Sequence, residues 1–558
     1  MKNKNWKLIS GSLVVRSMVI FIGFCFLILA PAQVKAFSTT MPTVLDPGYK
    51  IQVLVPGCHF TGLNGLAFDS QDTLYGGTVA GLATFRINKE TGETMMFLPP
   101  PTGGADDLIF EPGGRVIWNA FFLGKVFAKG ADGKTVTLAD NMPGANSIAA
   151  SKDGRVFVSQ VFLGDALWEM DLSGQQKNRK IAEKLGGLNA FRVGADGYIY
   201  GPLWFKGQVA KVDVNSGKVE IVADGFKVPA AAKFDSKGNL FVLDTATGEV
   251  VQVDIKTGKK KVVAQLESHL DNLAIDSKDR MFVSNMGNNS LYEVDVKTGK
   301  VRTVIEGKLA CPQGIAVSTD PDGDTLYVAD NFTYKRIDGF TGSVKDPNKG
   351  AAFPNTASIH GDTVLMSGWF TNAVQVFDRK TDNLLYVIKG FKTPTGTLML
   401  DDGSILVAEV GTGSILRVQD KEGKQRTPIA KDLAVPTYLA KAGPGAVYVT
   451  EFGAGRVTKV DLKTGNKKVI ATGFSAPKGI AVKPDGKILV VDTGTRQLIQ
   501  IDPATGESKP LVINLAVGLP VPSGFMPAYM LTGVAVSDSG AIYVTSDVEN
   551  AVYKISPK

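Results

Sequence analysis

The chain has 558 residues, of which 44% are hydrophobic, and its formal net charge is +7. This length suffices for more than one buried core. Five basic residues and no acids lie before residue 37, so removing them from +7 leaves +2, and no basic stripe remains. Nucleic-acid binding is therefore excluded as a function class.

The N-terminal residues 1–36 are predicted to be a cleavable secretory signal peptide. Basic residues from Lys2 to Arg16 precede the apolar run 18–30, and Val34 and Ala36 occupy the positions that a signal peptidase reads. We expect cleavage after Ala36, a periplasmic or secreted protein, and no membrane association after cleavage. The run is short for a membrane span. An uncleaved anchor is the alternative.

From about Gly62 onward one pattern recurs roughly every 42 residues, as in PQGIAVSTDPDGDTLYVADN (312–331) and PKGIAVKPDGKILVVDTG (477–494). Apolar residues alternate or run in short stretches between D-G, K-G and T-G turns, which is typical of antiparallel strands. A fixed period of this size indicates a repeat architecture, here the blades of a β-propeller. Twelve copies begin near Gly62, Gly103, Ala145, Gly187, Pro229, Leu270, Pro312, Pro354, Pro394, Pro436, Pro477 and Leu531.

Twelve blades exceed the usual size of one ring, so the sequence predicts an all-β fold of two tandem six-bladed β-propellers. The last copy ends after about three strands, and a spare strand at 49–55 precedes the first copy. We expect 49–55 to complete blade six of the first ring and 300–307 to complete the last blade of the second. The predicted domains are then 44–299 and 300–558. A single ring, in which 49–55 pairs with the last copy, is the alternative.

Two cysteines, Cys58 and Cys311, remain after the predicted cleavage and lie at equivalent places before the first copy of each ring. An oxidising compartment permits a disulfide between them. Two buried thiols are the alternative.

The start of each inner strand is predicted to lie at the channel mouth. In the first ring this position carries carboxylates and amides, which are hard oxygen ligands that Ca²⁺ selects. The second ring carries two amides, three hydroxyls and a lysine, which make a poor cation site. The first-ring residues are Asn64, Asp106, Asn146, Asn189, Ala230 and Asp271, followed by Asn272; the second-ring residues are Gln313, Asn355, Thr395, Thr437, Lys478 and Thr532. Asn and Asp at strand starts also serve as turn residues, which is the structural alternative.

Residues 104–134 and 312–331 resemble the opening blade and the P-N-G-x-A-x-S-P-D-G segment of gluconolactonase/regucalcin-type propellers, with short motifs shared by NHL repeats, strictosidine synthase-like proteins and paraoxonases. The resemblance implies six-bladed rings and a divalent cation held by a glutamate, two asparagines and an aspartate. Asp106 falls at the glutamate, Asn189 at the first asparagine and Asp271 at the aspartate. Ala230 replaces the second asparagine, and Asp271–Asn272 is similar to the Asp-Asn pair of paraoxonases.

Asn64 and Asn146 face the same predicted channel and compensate for the missing ligand in this interpretation. His269, two residues before Asp271, is a candidate proton shuttle. Asp271 is the other candidate catalytic residue. The chain has three histidines, so a zinc triad is not expected.

Two functions follow as hypotheses. The first is an exported Ca²⁺-dependent hydrolase of lactonase or esterase type, acting on a small-molecule ester or lactone at the first ring. The second is a non-catalytic NHL-like module that binds a protein or glycan. A lyase of the virginiamycin B type is a weaker third option. Fold alone does not decide among them.

Overall fold

The computed structural model describes residues 41–173, 176–347, 353–521 and 524–558. The predicted signal peptide and its cleavage site lie outside these residues. Within them the chain forms twelve antiparallel sheets, which confirms the predicted fold of two six-bladed propellers. In the described part of the chain, no helix is long and apolar enough to cross a bilayer.

The chain begins with β1 (Thr43–Val44) and β2 (Tyr49–Val55), which precede the first ring in sequence. The six blades of the first ring are then, in chain order, β3 (Leu63–Phe68), β4 (Leu74–Thr78), β5 (Ala83–Ile87) and β6 (Thr94–Leu98); β7 (Ala105–Phe110), β8 (Val116–Ala120), β9 (Lys125–Lys129) and β10 (Thr135–Ala139); β11 (Ala145–Ala150), β12 (Val156–Gln160), β13 (Ala166–Met170) and β14 (Arg179–Glu183); β15 (Arg192–Val193), β16 (Ile199–Leu203), β17 (Gln208–Val212) and β18 (Val219–Ala223); β19 (Pro229–Phe234), β20 (Leu240–Asp244), β21 (Glu249–Val253) and β22 (Lys260–Gln265); β23 (Leu270–Ile275), β24 (Met281–Asn285), β25 (Leu291–Val294) and β26 (Val301–Ile305).

The blades of the second ring are, in chain order, β27 (Ile315–Asp320), β28 (Gly323–Asp330), β29 (Thr333–Asp338) and β30 (Val344–Lys345); β31 (Thr356–His360), β32 (Thr363–Gly368), β33 (Ala373–Asp378) and β34 (Leu384–Lys389); β35 (Pro394–Met399), β36 (Ile405–Glu409), β37 (Ser414–Val418) and β38 (Arg426–Ala430); β39 (Pro436–Lys441), β40 (Ala446–Glu451), β41 (Arg456–Asp461) and β42 (Lys467–Thr472); β43 (Pro477–Val482), β44 (Ile488–Asp492), β45 (Gln497–Ile501) and β46 (Ser508–Ile513); β47 (Val534–Val536), β48 (Ile542–Ser546) and β49 (Ala551–Pro557). Short 3₁₀ turns cover Phe121–Leu123, Val410–Thr412 and Phe452–Ala454.

The closure of the two rings differs from the sequence prediction. Strand β2 pairs antiparallel with β49 and becomes the fourth strand of the last blade, from Tyr49 opposite Pro557 to Val55 opposite Val552. Strand β26 pairs with β25 and stays in blade six. The predicted pairings of 49–55 with blade six and of 300–307 with the last blade are therefore wrong. The pairing of 49–55 with the last copy, which we considered only for a single ring, occurs in a two-ring protein.

A local hairpin explains where β26 goes. The turn between β25 and β26 is short, with Asp295 accepting the backbone N–H of Lys297, so β26 pairs at little loop-closure cost. Blade six then has its full set of four strands, whereas β49 has a free edge until β2 covers it. Hence β1 and β2 belong to the second ring. In the sequence, the first ring is inserted between β2, which closes the second ring, and the other strands of that second ring. The predicted boundary at residue 299 lies inside blade six.

Two equivalent turn glycines support this arrangement independently. Each T-G turn after a third strand brings a glycine with positive φ against the outer strand of the preceding blade. A Cβ on Gly92 of blade one would lie 2.5 Å from the carbonyl oxygen of Val304 in β26. A Cβ on Gly342 of blade seven would lie 2.1 Å from the carbonyl oxygen of Leu54 in β2. Blade one thus follows blade six, and blade seven follows the blade that β2 completes.

The first ring closes on itself without a borrowed strand. Leu63 and Phe85 of blade one share an apolar core with Phe282 and Leu291 of blade six. The Ser284 hydroxyl donates to the carbonyl of Asn64 at 2.6 Å across the same seam.

The two rings contact each other through loops at the mouth ends of their inner strands. Ala80 of the first ring lies in an apolar cluster with Cys311, Tyr529 and Met530 of the second. The ring of Phe122 lies 5.3 Å from that of Phe525, measured between centroids. The mouth of the first-ring channel is therefore flanked by aromatic residues of the second ring.

The two cysteines are unbridged. Cys58 is buried and its thiol contacts the carbonyl of Phe60, whereas buried Cys311 lies with its sulfur 3.5 Å from that of Met530. The predicted disulfide is wrong in this structure because each thiol fills its own apolar site.

Burial raises the pKa of Cys58 to about 12 and also raises that of Cys311. Since the thiolate is the reactive form, we expect neither thiol of the native protein to react with a disulfide reagent at pH 8. After denaturation without a reductant, the chain lacking residues 1–36 should release two thiols. A denatured protein with no free thiol would establish a bridge instead.

Candidate functional site

The candidate site lies where the six inner strands of the first ring begin. The predicted mouth residues Asn64, Asp106, Asn146 and Asn189 are all buried, and Asp271 is half-buried. A register shift within β3, β7, β11 and β23 accompanies these residues, which gives each strand start room for two consecutive side chains near the channel. Ala230 supplies no polar atom on the fifth blade.

Asp106, Asn64 and Asp271 form the part of the mouth with unmatched acceptors. The Oδ2 atom of Asp106 and the Oδ1 atom of Asn64 are buried and have no hydrogen-bond partner. Burial raises the pKa of Asp106 well above its usual range, and the charges of Asp271 and Asp107 add to the shift. Burial likewise raises the pKa of Asp271 to about 7, partly offset by a hydrogen bond from Asn64. The mouth thus holds two buried acceptor oxygens, on Asp106 and Asn64, that no described group satisfies.

The raised pKa of Asp271 predicts how pH affects the stability of chelator-treated protein. In the unfolded chain the Asp271 carboxyl ionises near pH 3.9, whereas in the folded chain this carboxyl stays protonated up to about pH 7. The folded state binds more protons in this window, so the free energy of unfolding should fall from about pH 4 to about pH 7.

Denaturant titrations at pH 5 and pH 8 measure this fall. Asp271→Asn should flatten the dependence and be more stable than the wild type at pH 8. A wild type and variant with equal slopes would contradict the shift.

Asn146 and Asn189 are engaged in local hydrogen bonds. The Ser147 hydroxyl lies 2.8 Å from Oδ1 of Asn146 and 3.1 Å from Oδ1 of Asn189. The latter oxygen also accepts the backbone N–H of Ala190 at 2.9 Å. These two asparagines therefore form local hydrogen bonds, as expected if they are turn residues. The carbonyl oxygen of each side chain keeps limited capacity to bind another ligand.

A second layer of the site, centred on Asp107, was missed by the sequence analysis. Oδ2 of Asp107 lies 3.3 Å from Nζ of Lys233 on blade five, and Oδ1 accepts from Nδ2 of Asn272 on blade six at 3.2 Å. A buried carboxylate that contacts two other blades in this way lies inside the channel. The only sequence signal was the double acid Asp106–Asp107, of which just the first residue matched the repeat position.

Two predicted site residues have other partners than the unmatched acceptors. The side chain of Asn272 is used by Asp107 and by the backbone N–H of Leu273, so it is not counted among the candidate ligands. His269 has its Nδ1 atom 3.2 Å from the Ser268 hydroxyl and 3.7 Å from Oδ2 of Asp346 in the second ring. Burial lowers the pKa of His269. This histidine therefore lies at the contact between the rings.

The second ring has a covered mouth. Lys478 donates to the carbonyl of Met530 at 2.5 Å, and Oε1 of Gln313 accepts the backbone N–H of Leu531 at 3.0 Å. Burial lowers the pKa of Lys478. The segment that precedes the last blade thus covers the channel of the second ring. The polar residues at the mouth of this channel hold the segment in place by hydrogen bonds to its backbone.

The described ranges hold no group of three or more His, Cys, Asp or Glu side chains arranged for a metal ion. A cation at the first mouth would therefore need amide oxygens in addition to the two carboxylates of Asp106 and Asp271.

Comparison with known proteins supports the resemblance over part of the chain. Residues 187–331 match the family model described as the SMP-30/Gluconolactonase/LRE-like region. This stretch starts at blade four and ends in blade seven, so it includes Asn189 and Asp271 but not Asp106. The resemblance predicted from the sequence is confirmed there.

The solved structures to which this chain is similar include a lyase and an extracellular domain. A streptogramin B lyase is 12% identical over 53% of this chain and 98% of its own, with a TM-score of 0.38. The extracellular domain of a hybrid two-component system from B. thetaiotaomicron is 11% identical over 91% of this chain and 82% of its own, with a TM-score of 0.34. Neither likeness indicates an activity for this chain. A search of curated proteins found no match.

Proposed function

We propose that the chain is an exported hydrolase of lactonase or esterase type that holds a divalent cation, Ca²⁺ by its ligand chemistry, at the mouth of the first ring. The observation that carries this proposal is the pair of unpartnered buried oxygens on Asp106 and Asn64 beside Asp271. Buried acceptors without donors are costly unless a cation or another donor satisfies them.

Asp106, Asp271 and Asn64 are the proposed ligands, with the Oδ1 atoms of Asn146 and Asn189 completing the arc. When bound, the cation would supply Lewis-acid polarisation of an ester carbonyl. Oxygen ligands with two carboxylates fit Ca²⁺ better than zinc, which prefers nitrogen and sulfur. The blade that carries Ala230 leaves one side of the arc open, where a substrate has room to approach.

Asp271 is the proposed proton acceptor. It is the half-buried member of the arc, so it is the carboxylate that a substrate or a water molecule at the open side can reach. The flanking aromatic side chains Phe122 and Phe525 would limit water at the mouth and favour apolar leaving groups. His269 has no part in this proposal because it faces Asp346.

The test is hydrolysis of phenyl acetate and γ-butyrolactone after chelation and after return of Ca²⁺. We expect activity only with the cation, and a loss of at least about 100-fold in kcat/KM for Asp271→Asn, the range typical of a lost proton acceptor. Asp153→Asn is the matched control, because this exposed carboxylate lies in an outer turn with Ser151. Equal activity of Asp271→Asn and wild type would refute the proposed role of Asp271.

A non-catalytic binding module for a protein or glycan is the second candidate. The observation that favours it is the local use of the Asn146 and Asn189 oxygens, together with Ala230 on the fifth blade. Cation binding without hydrolysis of either substrate would favour this candidate over the hydrolase.

A further inference from the structure

Two basic side chains lie on adjacent inner strands of the first ring. Arg192 follows the mouth residue Asn189 by three positions, and Lys233 follows Ala230 by three. A strand rises about 3.3 Å per residue, so both basic residues start about 10 Å deeper than the mouth. They therefore belong to a level of the channel below the proposed cation site.

Lys233 is buried and already has partners at this level. Its ammonium group lies 3.3 Å from Oδ2 of Asp107 and 3.4 Å from the carbonyl of Phe191. One carboxylate therefore neutralises this cation.

Arg192 differs from Lys233 because it is exposed to solvent and its side chain forms no hydrogen bond or ion pair with any described residue. Desolvation nevertheless lowers its pKa, and the negative charge of Asp107 partly offsets this shift. A side chain that contacts water and yet lies deep among protein atoms lines a water-filled channel. Its guanidinium group is thus available to a ligand.

Arg192 lacks a paired carboxylate at this level. Asp107 contacts Lys233, and the charge of Asp271 also acts on that lysine, whereas no carboxylate of the described residues contacts Arg192. A guanidinium group binds carboxylates with two parallel hydrogen bonds, which a lysine cannot reproduce. A ligand carboxylate would therefore give the guanidinium group of Arg192 the partner that it lacks.

We propose that the first-ring channel binds a carboxylate through Arg192, with Lys233 as the second cation, so that the substrate is an ester or lactone that also carries a carboxylate. The assignment of this carboxylate to a substrate rests on the proposed hydrolase function. The carboxylate subsite itself does not, since its residues are not cation ligands.

Calorimetric titration of chelator-treated protein with glutarate tests the subsite without any catalysis. We expect the wild type to bind and Arg192→Ala to bind at least about 10-fold more weakly, the loss expected for a charge-assisted hydrogen bond. Arg192→Lys should fall between them. Arg179→Ala is the matched control, because Arg179 lies on the outer strand β14 paired with Glu169 and should leave the affinity unchanged. No binding by wild type, or equal binding by Arg192→Ala, overturns the proposal.

A comparison of two esters then separates the inference from the proposed function. The Ca²⁺-loaded wild type should prefer monophenyl glutarate over phenyl acetate in kcat/KM, and Arg192→Ala should lose this preference while keeping its rate on phenyl acetate. If both esters are cleaved and Arg192→Ala keeps the preference, the substrate assignment is wrong and the hydrolase stands. If neither ester is cleaved, the hydrolase proposal fails and the glutarate titration alone decides the subsite.

Discussion

Deletion of residues 41–56 is expected to unfold the second ring and to leave the first ring folded. These residues contain β2, which covers β49 and buries Leu54 and Val55 against Ile315 and Tyr543. Without them the last blade has three strands and an open apolar edge, which also favours aggregation. Thermal unfolding followed by circular dichroism, together with limited proteolysis, should show one surviving protease-resistant fragment that contains blades one to six.

Paired glycine variants provide the control for this deletion. Gly342→Val should open the second ring, because its side chain would collide with the carbonyl of Leu54 in β2. Gly92→Val should open the first ring by the same collision with Val304 in β26. If the deletion instead destabilises the first ring and spares the second, residues 49–55 would pair with blade six, as predicted from the sequence.

Lys233→Met is expected to destabilise the first ring by about 3–5 kcal/mol, the usual cost of leaving one partner of a buried ion pair uncompensated. Its partner Asp107 is only 2% exposed, so water cannot replace the lost ammonium group. Chemical denaturation at constant pH measures the change.

The double variant Asp107→Asn/Lys233→Met should recover most of that loss, because it removes both buried charges. An additive double variant, as unstable as the sum of its parts, would show that the two side chains do not stabilise each other.

The architecture was predictable from sequence because the repeat is dense. Turn residues such as Gly92 and Gly342 recur with the same neighbours, so the number of blades follows from counting copies. Ring closure was not predictable in the same way. Strands 49–55 and 300–307 share one alternating pattern, and the choice between them depends on which blade edge remains uncovered in three dimensions. For β26, the short hairpin with β25 determines the pairing.

The candidate site was predictable only at its outer layer. The repeat position led to Asp106 and Asp271, whose neighbouring charges and burial agree with a shared mouth. Asp107, Lys233 and Arg192 lie one or three residues further along their strands, where the repeat normally carries small or apolar residues. The contact of Asp107 with Lys233 across the channel depends on the curvature of six blades, which no local pattern encodes.

The proposed activity requires a divalent cation at the mouth of the first ring, and cation stoichiometry tests this requirement directly. Chelated protein should be loaded with Ca²⁺, freed of excess by gel filtration, and assayed by elemental analysis. We expect one Ca²⁺ per chain in the wild type and in Arg192→Ala, and none in the double variant Asp106→Asn/Asp271→Asn. A wild type without Ca²⁺, or a double variant that retains it, would contradict the claim.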